Sequence, residues 1–357
     1  MMKSAHSSLT GPILIVRTDA LGDLVMTLPM LTMLKRSCPS AEVDILVSKR
    51  AAPVIEGHRN VRNVLVDPGN LRQRVKLIGR GEYEWVIVVR PEPGIALAVW
   101  LSGIPRRVGT SRRFYSLLFN HRWAVARKHG GRHEAEYNAE LLSPLGIATG
   151  RVPWVNLKVT DTQRNAAREI LNSSGLSPEM AYVVVHPGSR GSAPNLPYET
   201  YAGIVRGLRK REIAVVLTGS RTETAPLIAR LKDPAGGNGR GEHTKGAPLV
   251  DLSGKTDLAA LLGVLAGARL VIASSTGPLH LASAVGTPVV SAYGHRPSIA
   301  AQRWKPWVDP QHVTLLNPGE AACPSSCKGR CGRNGCLATI QVEAFLKAVD
   351  SRLKGIV

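Results

Sequence analysis

The chain has 357 residues, of which 44% are apolar, 20% charged and 4% aromatic, and 46 Lys and Arg against 26 Asp and Glu leave a formal charge of +20. That length predicts two domains with real cores, and the charge, spread over both halves, favours anionic partners such as nucleic acid, anionic lipid or a phosphorylated glycolipid. No stretch approaches the ~20 uninterrupted apolar residues of a membrane span, and the opening MMKSAHSSLTGP lacks the apolar core of a secretory signal, so a cytoplasmic protein is expected.

In chain order, apolar runs rich in Val and Ile recur: PILIV (12–16), EVDILV (42–47), NVLVD (63–67) and EWVIVV (84–89). After a Gly- and Pro-rich stretch near 146–160 come YVVVH (182–186), IAVVLTG (213–219), PLVDLSG (248–254), RLVIAS (269–274) and PVVSAYG (288–294). They do not alternate with polar residues, as expected of parallel strands covered on both faces. Helical patterns lie between them, including 24–36, 135–145, 162–173, 198–210, 257–267 and 278–285. Repeated strand–helix units predict an α/β protein with two Rossmann-like doubly wound domains, 1–155 and 156–357, the second closing with a Cys-containing tail and a helix. Two such domains facing each other leave a cleft, and ligands bind beyond the carboxyl ends of the strands. Residues 234–246, PAGGNGRGEHTKG, read as a surface loop.

The chemistry-bearing motifs fall at those strand ends. RTDALGD (17–23) follows the first strand, and Gly22 lets the turn close tightly. Asp23 has two readings: a helix N-cap, or a carboxylate held as a general base. Asp19 reads as a turn residue. HPGSRGSAPNLP (186–197) follows the strand at 182–186, and its small residues let backbone amides approach an anion that Ser189 and Arg190 could contact. In SSTGPLH (274–280), Gly277 and Pro278 open a helix with Thr276 as its cap. First-turn amides have no intrahelical partner and carry the positive end of the helix dipole, which suits a diphosphate. Each loop also reads as an ordinary strand-to-helix connection.

The ordered set ILIVRTDALGDLVMTLPML, HPGS, LTGSRTE, DLSGKTDLAALLGVLAGARLVIASSTGPLHLASAVGTPVV and a closing run of cysteines resembles glycosyltransferase family 9, the ADP-heptose–lipopolysaccharide heptosyltransferases. The resemblance implies the GT-B fold, with an acceptor-binding N-terminal domain and a nucleotide-sugar-binding C-terminal domain. It implies that Asp23 is the catalytic base of an inverting transfer. It places the donor near Ser189, Arg190, Thr218, Gly219, Glu223, Ser275, Thr276, Gly277, Pro278, Leu279 and His280, with Glu223 on the ribose. It implies ADP-heptose as donor, an anionic inner-core glycolipid as acceptor, and no catalytic cofactor. Two positions depart from the family pattern. Ser275 stands where an Asp is frequent, and the Lys expected in the HPG loop is absent, leaving Arg190 as the nearest cation. The alternatives are transfer of another nucleotide-sugar in polysaccharide or glycoprotein synthesis, and a non-catalytic sugar-nucleotide or nucleic-acid binder.

Two further segments stay open. Residues 104–133 contain Arg106, Arg107, Arg112 and Arg113 among other cations, interleaved with aromatics including Trp123, and no acid. They read either as a solvated surface or as an acceptor and membrane patch at the cytoplasmic face of the inner membrane; no nucleic-acid-binding module is recognised, so no nucleic-acid partner is expected. Cys323, Cys327, Cys331 and Cys336 read as plain thiols or as a structural zinc site, but their C-x3-C-x3-C-x4-C spacing lacks the CxxC pairs of a zinc ribbon.

Overall fold

The computed structural model describes residues 9, 11–90, 92–125, 131–177, 179–189, 191, 193–232, 246–295, 299–319 and 335–353. Arg190, Cys323, Cys327, Cys331 and nearly all of the 234–246 loop lie outside these residues. The chain divides into two units, Met1–Val155 and Asn156–Val357.

The first unit is built on β1 (Ile13–Arg17), β2 (Val43–Val47), β3 (Val64–Val66), β4 (Trp85–Val88), β5 (Arg106–Thr110) and β6 (His121–Trp123). They form one sheet in the order β3-β2-β1-β4-β5-β6, and every pairing is parallel. The second unit carries β7 (Tyr182–His186), β8 (Ala214–Leu217), β9 (Leu249–Asp251), β10 (Leu270–Ala273), β11 (Val289–Ala292) and β12 (Val313–Leu316). Its order is β12-β11-β10-β7-β8-β9, again parallel throughout. Each sheet therefore has the doubly wound order: three strands wind outward, then the chain returns to the centre and winds the other way. The reversal falls between β1 and β4 in the first sheet, with Ile15 opposite Ile87. In the second it falls between β7 and β10, with Val184 opposite Val271.

Burial explains why these runs are strands. Every residue of β1, β2, β4, β7, β8, β10 and β11 is buried, so apolar side chains are needed on both faces. One face of the first sheet packs Leu14, Val16, Val86 and Val88 against Ile95 and Val99. In the second, Val183, Val185 and Ile272 pack against Tyr201, Ile204 and Phe345, from helices Tyr198–Lys210 and Val342–Leu353.

Three strands escaped the sequence pattern: β5, β6 and β12. β5 and β6 carry arginines, and β6 and β12 are edge strands open to solvent on one side, so none is a continuous apolar run. The pattern at 24–36 is two helices, Leu21–Val25 and Leu28–Ser37, separated at Met26 and Thr27. Pro29 in the first turn of the second helix has no N–H to donate back to the first. The Met30 amide donates to Thr27 O at 3.0 Å, and the carbonyl of Met26 accepts from Asn138 Nδ2 at 3.1 Å. Among the described residues, no helix is long and apolar enough to cross a membrane.

Candidate active site

Ligands of open α/β sheets bind beyond the carboxyl ends of the strands that flank the reversal. In the first unit these are β1 and β4. β1 ends in Arg17, whose side chain is only 3% exposed. A guanidinium that deep must be paired, because an unpaired buried cation is strongly destabilising. The loop beyond supplies two carboxylates. Arg17 Nε donates to Asp19 Oδ1 at 2.7 Å, and Arg17 Nη2 donates to Asp23 Oδ1. Asp19 Oδ2 also faces Arg90 Nε, just past β4, at 3.8 Å. Burial pushes the Asp19 carboxyl above its ordinary value and the charge of Asp23 adds to this, while Arg17 and Arg90 pull the other way. Asp19 is therefore part of a buried charge network, not a simple turn residue.

Asp23 is not a helix cap, contrary to one of its two sequence readings. The helix Leu21–Val25 has Ala20 at its N-cap and no capping side chain, and Asp23 lies inside its first turn. Asp23 keeps 22% of its side chain exposed, and its backbone carbonyl accepts from Thr27 Oγ1 at 2.9 Å. The result is a carboxylate at the carboxyl edge of the sheet, oriented by a buried arginine and still open to solvent.

The basic stretch does not form one surface. Arg106 and Arg107 begin β5, at the opposite edge of the sheet. Arg106 pairs with Glu84 and lies over the Trp85 ring. Arg107 is spent on the carbonyls of Leu118 and Ile104, at 2.9 and 2.5 Å. Arg112, Arg113 and Trp123 sit at the carboxyl edge, as Asp23 does, and all three are exposed.

In the second unit the reversal lies between β7 and β10. β7 ends in His186, whose Nδ1 lies 3.0 Å from Thr218 Oγ1 just past β8. Gly219 follows with φ +130, a conformation that favours glycine. Gly188 lies against Glu223: a Cβ there would sit 2.6 Å from the glutamate carboxyl carbon. Glu223 also accepts from Ser220 Oγ at 2.6 Å. The fold thus brings the HPGS and LTGSRTE motifs into contact. The Ser189 hydroxyl is engaged within its own loop. It donates to Ala193 O at 2.8 Å and accepts from the Gly191 amide and Asn195 Nδ2. A cavity of about 560 Å³ lies along the helix Arg221–Lys232, lined by residues that include Arg221, Asp251, Ser253 and Lys255.

Beyond β10, Ser274 bonds Tyr201 at 2.8 Å, and Ser275 hydrogen-bonds Tyr293. Thr276 occupies the N-cap of the helix Gly277–Ala284, as its position predicts, yet its side chain makes no capping bond. Its hydroxyl is buried and has no hydrogen-bond partner among the described residues. A buried hydroxyl in that state costs free energy unless a ligand satisfies it. Leu279 is fully buried and His280 nearly so, so Leu279 can offer a ligand only its amide, and Pro278 offers none.

Arg190 and three of the four late cysteines fall outside the described residues; Cys336 lies in a 3₁₀ turn, Gly335–Thr339, beside Gly294. Among the described residues there is no group of three His, Cys, Asp or Glu side chains able to hold a metal ion. Sequence reasoning missed Arg17, Arg90 and Gly188. The signal for Arg17 was present: a charged residue ending an otherwise apolar strand with two acids close behind.

The chain is similar to known proteins in sequence and in fold. The family model for glycosyltransferase family 9 (heptosyltransferase) matches residues 71–329. A protein of Haemophilus influenzae described as a putative glycosyltransferase is 30% identical over 327 residues, covering 86% of this chain and 89% of its own. Lipopolysaccharide heptosyltransferase 3 of Escherichia coli is 26% identical over 306 residues, covering 81% and 83%. Among solved structures, a family 9 glycosyl transferase from Veillonella parvula superposes with a TM-score of 0.79 at 19% identity, over 97% of this chain and 98% of that one. The E. coli ADP-heptose LPS heptosyltransferase II gives 0.78 at 19% identity, over 96% and 99%. The fold is thus that of the GT-B heptosyltransferases. With a family match over most of its length and a relative at 30% identity across 86% of it, the chain is a glycosyltransferase and belongs to glycosyltransferase family 9, the heptosyltransferase family.

Proposed function

We propose that this enzyme moves a heptose, with inversion, from ADP-heptose to the inner core of a lipopolysaccharide or a closely related glycan. The first unit takes the acceptor and the second the donor. Asp23 removes the proton from the acceptor hydroxyl as its oxygen attacks the anomeric carbon. That carbon–oxygen bond forms as the bond to the diphosphate breaks. ADP leaves carrying the displaced electron pair, and one direct displacement inverts the sugar carbon. Arg17 holds Asp23 in place for this step.

The leaving diphosphate is received at the start of the helix Gly277–Ala284. The amides of Gly277 and Leu279, the dipole and the Thr276 hydroxyl stabilise charge as it develops. The nucleoside lies at Glu223 and the adjoining cavity, and Arg190 supplies the cation otherwise missing from the HPGS loop. No divalent cation is required in this scheme, because the helix start serves the diphosphate. The enzyme works at the cytoplasmic face of the inner membrane, in peripheral contact with it.

The observation that carries this reading is the unpartnered, buried Thr276 hydroxyl at a helix start beside the β7–β10 reversal. It is a polar site built for a ligand the protein itself does not supply. The test is to incubate purified enzyme with ADP-heptose and an inner-core acceptor, follow ADP release, and read the product linkage by NMR. An inverted heptosyl linkage is expected. ADP-heptose that neither binds nor turns over, while a GDP- or UDP-sugar does, would overturn the donor assignment.

A further inference from the structure

We propose that the 3₁₀ turn Phe114–Leu118 is a membrane anchor: Phe114 and Leu117 insert among the headgroups of an anionic bilayer while the arginines around them bind lipid phosphates. This deepens the reading of a lipid-borne acceptor and rests on it. Phe114 is 83% exposed and Leu117 79%; among the described residues no other large apolar side chain exceeds 48%. A 3₁₀ turn has three residues per revolution, so positions 114 and 117 share one edge. That edge faces water because the opposite one is fixed. Tyr115 and Phe119 are buried in the core of the first unit, with Leu118 packed against it. The Arg113 amide donates to Ser116 Oγ at 3.1 Å, closing the start of the turn. Phe114 meets Tyr115 edge-on at 5.1 Å. Exposure of the pair is therefore built into the fold and is not fraying.

The surroundings select the occupant. Arg112, Arg113, Arg122 and Trp123 are exposed beside the turn, and the Ser111 amide bonds the Trp123 carbonyl at 3.1 Å, which sets Trp123 next to Arg112. No residue from 104 to 125 is acidic. Protruding apolar side chains ringed by cations, with a tryptophan at the border, match the layered chemistry of an anionic bilayer surface. Nucleic acid would use the cations and stack a base on Phe114, but would leave the aliphatic Leu117 in water. The turn also adjoins the chemistry. Arg113, Glu92 and Arg90 all act electrostatically on Tyr115, and Arg90 reaches Asp19. The start of the turn, at Arg113 and Phe114, thus lies toward the edge of the sheet that holds Asp23, while its end, at Leu118, accepts from Arg107 at the far edge.

The test is co-sedimentation of the whole enzyme with vesicles of phosphatidylcholine alone or mixed equally with phosphatidylglycerol, with no donor or acceptor present. Wild type should sediment with the anionic vesicles, and Phe114→Ser with Leu117→Ser should weaken that partition roughly tenfold or more. Both positions are exposed, so the variant should keep its melting temperature. It should also keep its rate on a delipidated soluble acceptor while losing rate on vesicle-borne glycolipid. Wild-type failure to sediment, unchanged partition of the variant, or a wild-type dimer that the double substitution converts to monomer would each overturn the anchor. So would release from vesicles by single-stranded RNA with Phe114 and Leu117 contributing nothing. Vesicle binding needs no sugar transfer, so the anchor and the transferase reading can fail separately.

Discussion

Asp23→Asn is the substitution that separates chemistry from architecture. In the structure Asp23 is not a helix cap, so capping energy does not enter the comparison. What the change removes is the negative charge of one of two carboxylates on Arg17. Asp19 remains at 2.7 Å, and the asparagine oxygen can still accept from Arg17 Nη2, so no buried cation is orphaned. The cost is the difference between a charge-assisted hydrogen bond with an ionised acceptor and one with a neutral acceptor, about 1 kcal/mol. For a domain of this size that lowers the melting temperature by roughly 2–4 °C. Loss of a general base costs about 10²–10⁴ in rate, which is ~3–5 kcal/mol of barrier. The rate effect should therefore far exceed the stability effect. Asp19→Asn is the matched control, because it takes a carboxylate from the same arginine with a similar stability loss, yet should retain most of the rate. Melting temperature, donor affinity by calorimetry and ADP release at saturating donor should be measured on both proteins. A folded Asp23→Asn enzyme that binds donor and turns over within about threefold of wild type would refute the assignment. Equal rate losses in the two variants would mean that only the charge balance at Arg17 matters.

Three other substitutions probe the remaining geometry. Thr276→Val replaces an unpartnered buried hydroxyl by a methyl, so the melting temperature should hold or rise, while donor affinity measured by calorimetry falls about 10–100-fold. Gly188→Ala should press on the Glu223 carboxylate and weaken ADP binding roughly tenfold; an unchanged dissociation constant would separate Glu223 from the nucleotide. Asp44, on β2, is 2% exposed; burial works to raise its carboxyl, but hydrogen bonds from Arg62, Tyr83 and Asn63 outweigh burial and hold it below its ordinary value. A lowered carboxyl adds stability above the unfolded value of about 3.9 and loses it as the pH falls through the folded one. Asp44→Asn should thus cost about 2–3 kcal/mol at neutral pH, and the gap in melting temperature from wild type should close in acid.

The inner strands were legible because burial on both faces demands what the sequence displays. β1, β4, β7, β8 and β10 are short, continuous runs rich in Val, Ile and Leu. Of the edge strands, β3 and β9 lie within apolar runs that the sequence displays, whereas β6, HRW, is held by its register with β5 and by nothing intrinsic to three polar or aromatic residues. Strand order could not be read locally either, although it is what marks β1–β4 and β7–β10 as the places to look. At the site, the loops themselves were visible as motifs. Contacts across the sequence were not: Gly188 carries no local sign that it lies against Glu223, thirty-five positions on. Arg106 and Arg112 look equivalent in the sequence, but a strand runs between them and sends them to opposite edges.

The arginine that ends β1 also bears on how the enzyme folds. β1 lies in the middle of its sheet, hydrogen-bonded on both sides, and cannot dock without carrying the Arg17 guanidinium into the interior. Among the described residues, the groups that neutralise it there are Asp19 and Asp23, in the turn and short helix immediately after. Docking of the central strand and closure of the loop over it are therefore one cooperative event. Active-site loops are commonly drawn from the locally unstable part of a protein, opening at little cost. Here the loop that holds Asp23 cannot open alone without stranding a buried cation, so the geometry around Asp23 should persist until the first unit itself unfolds.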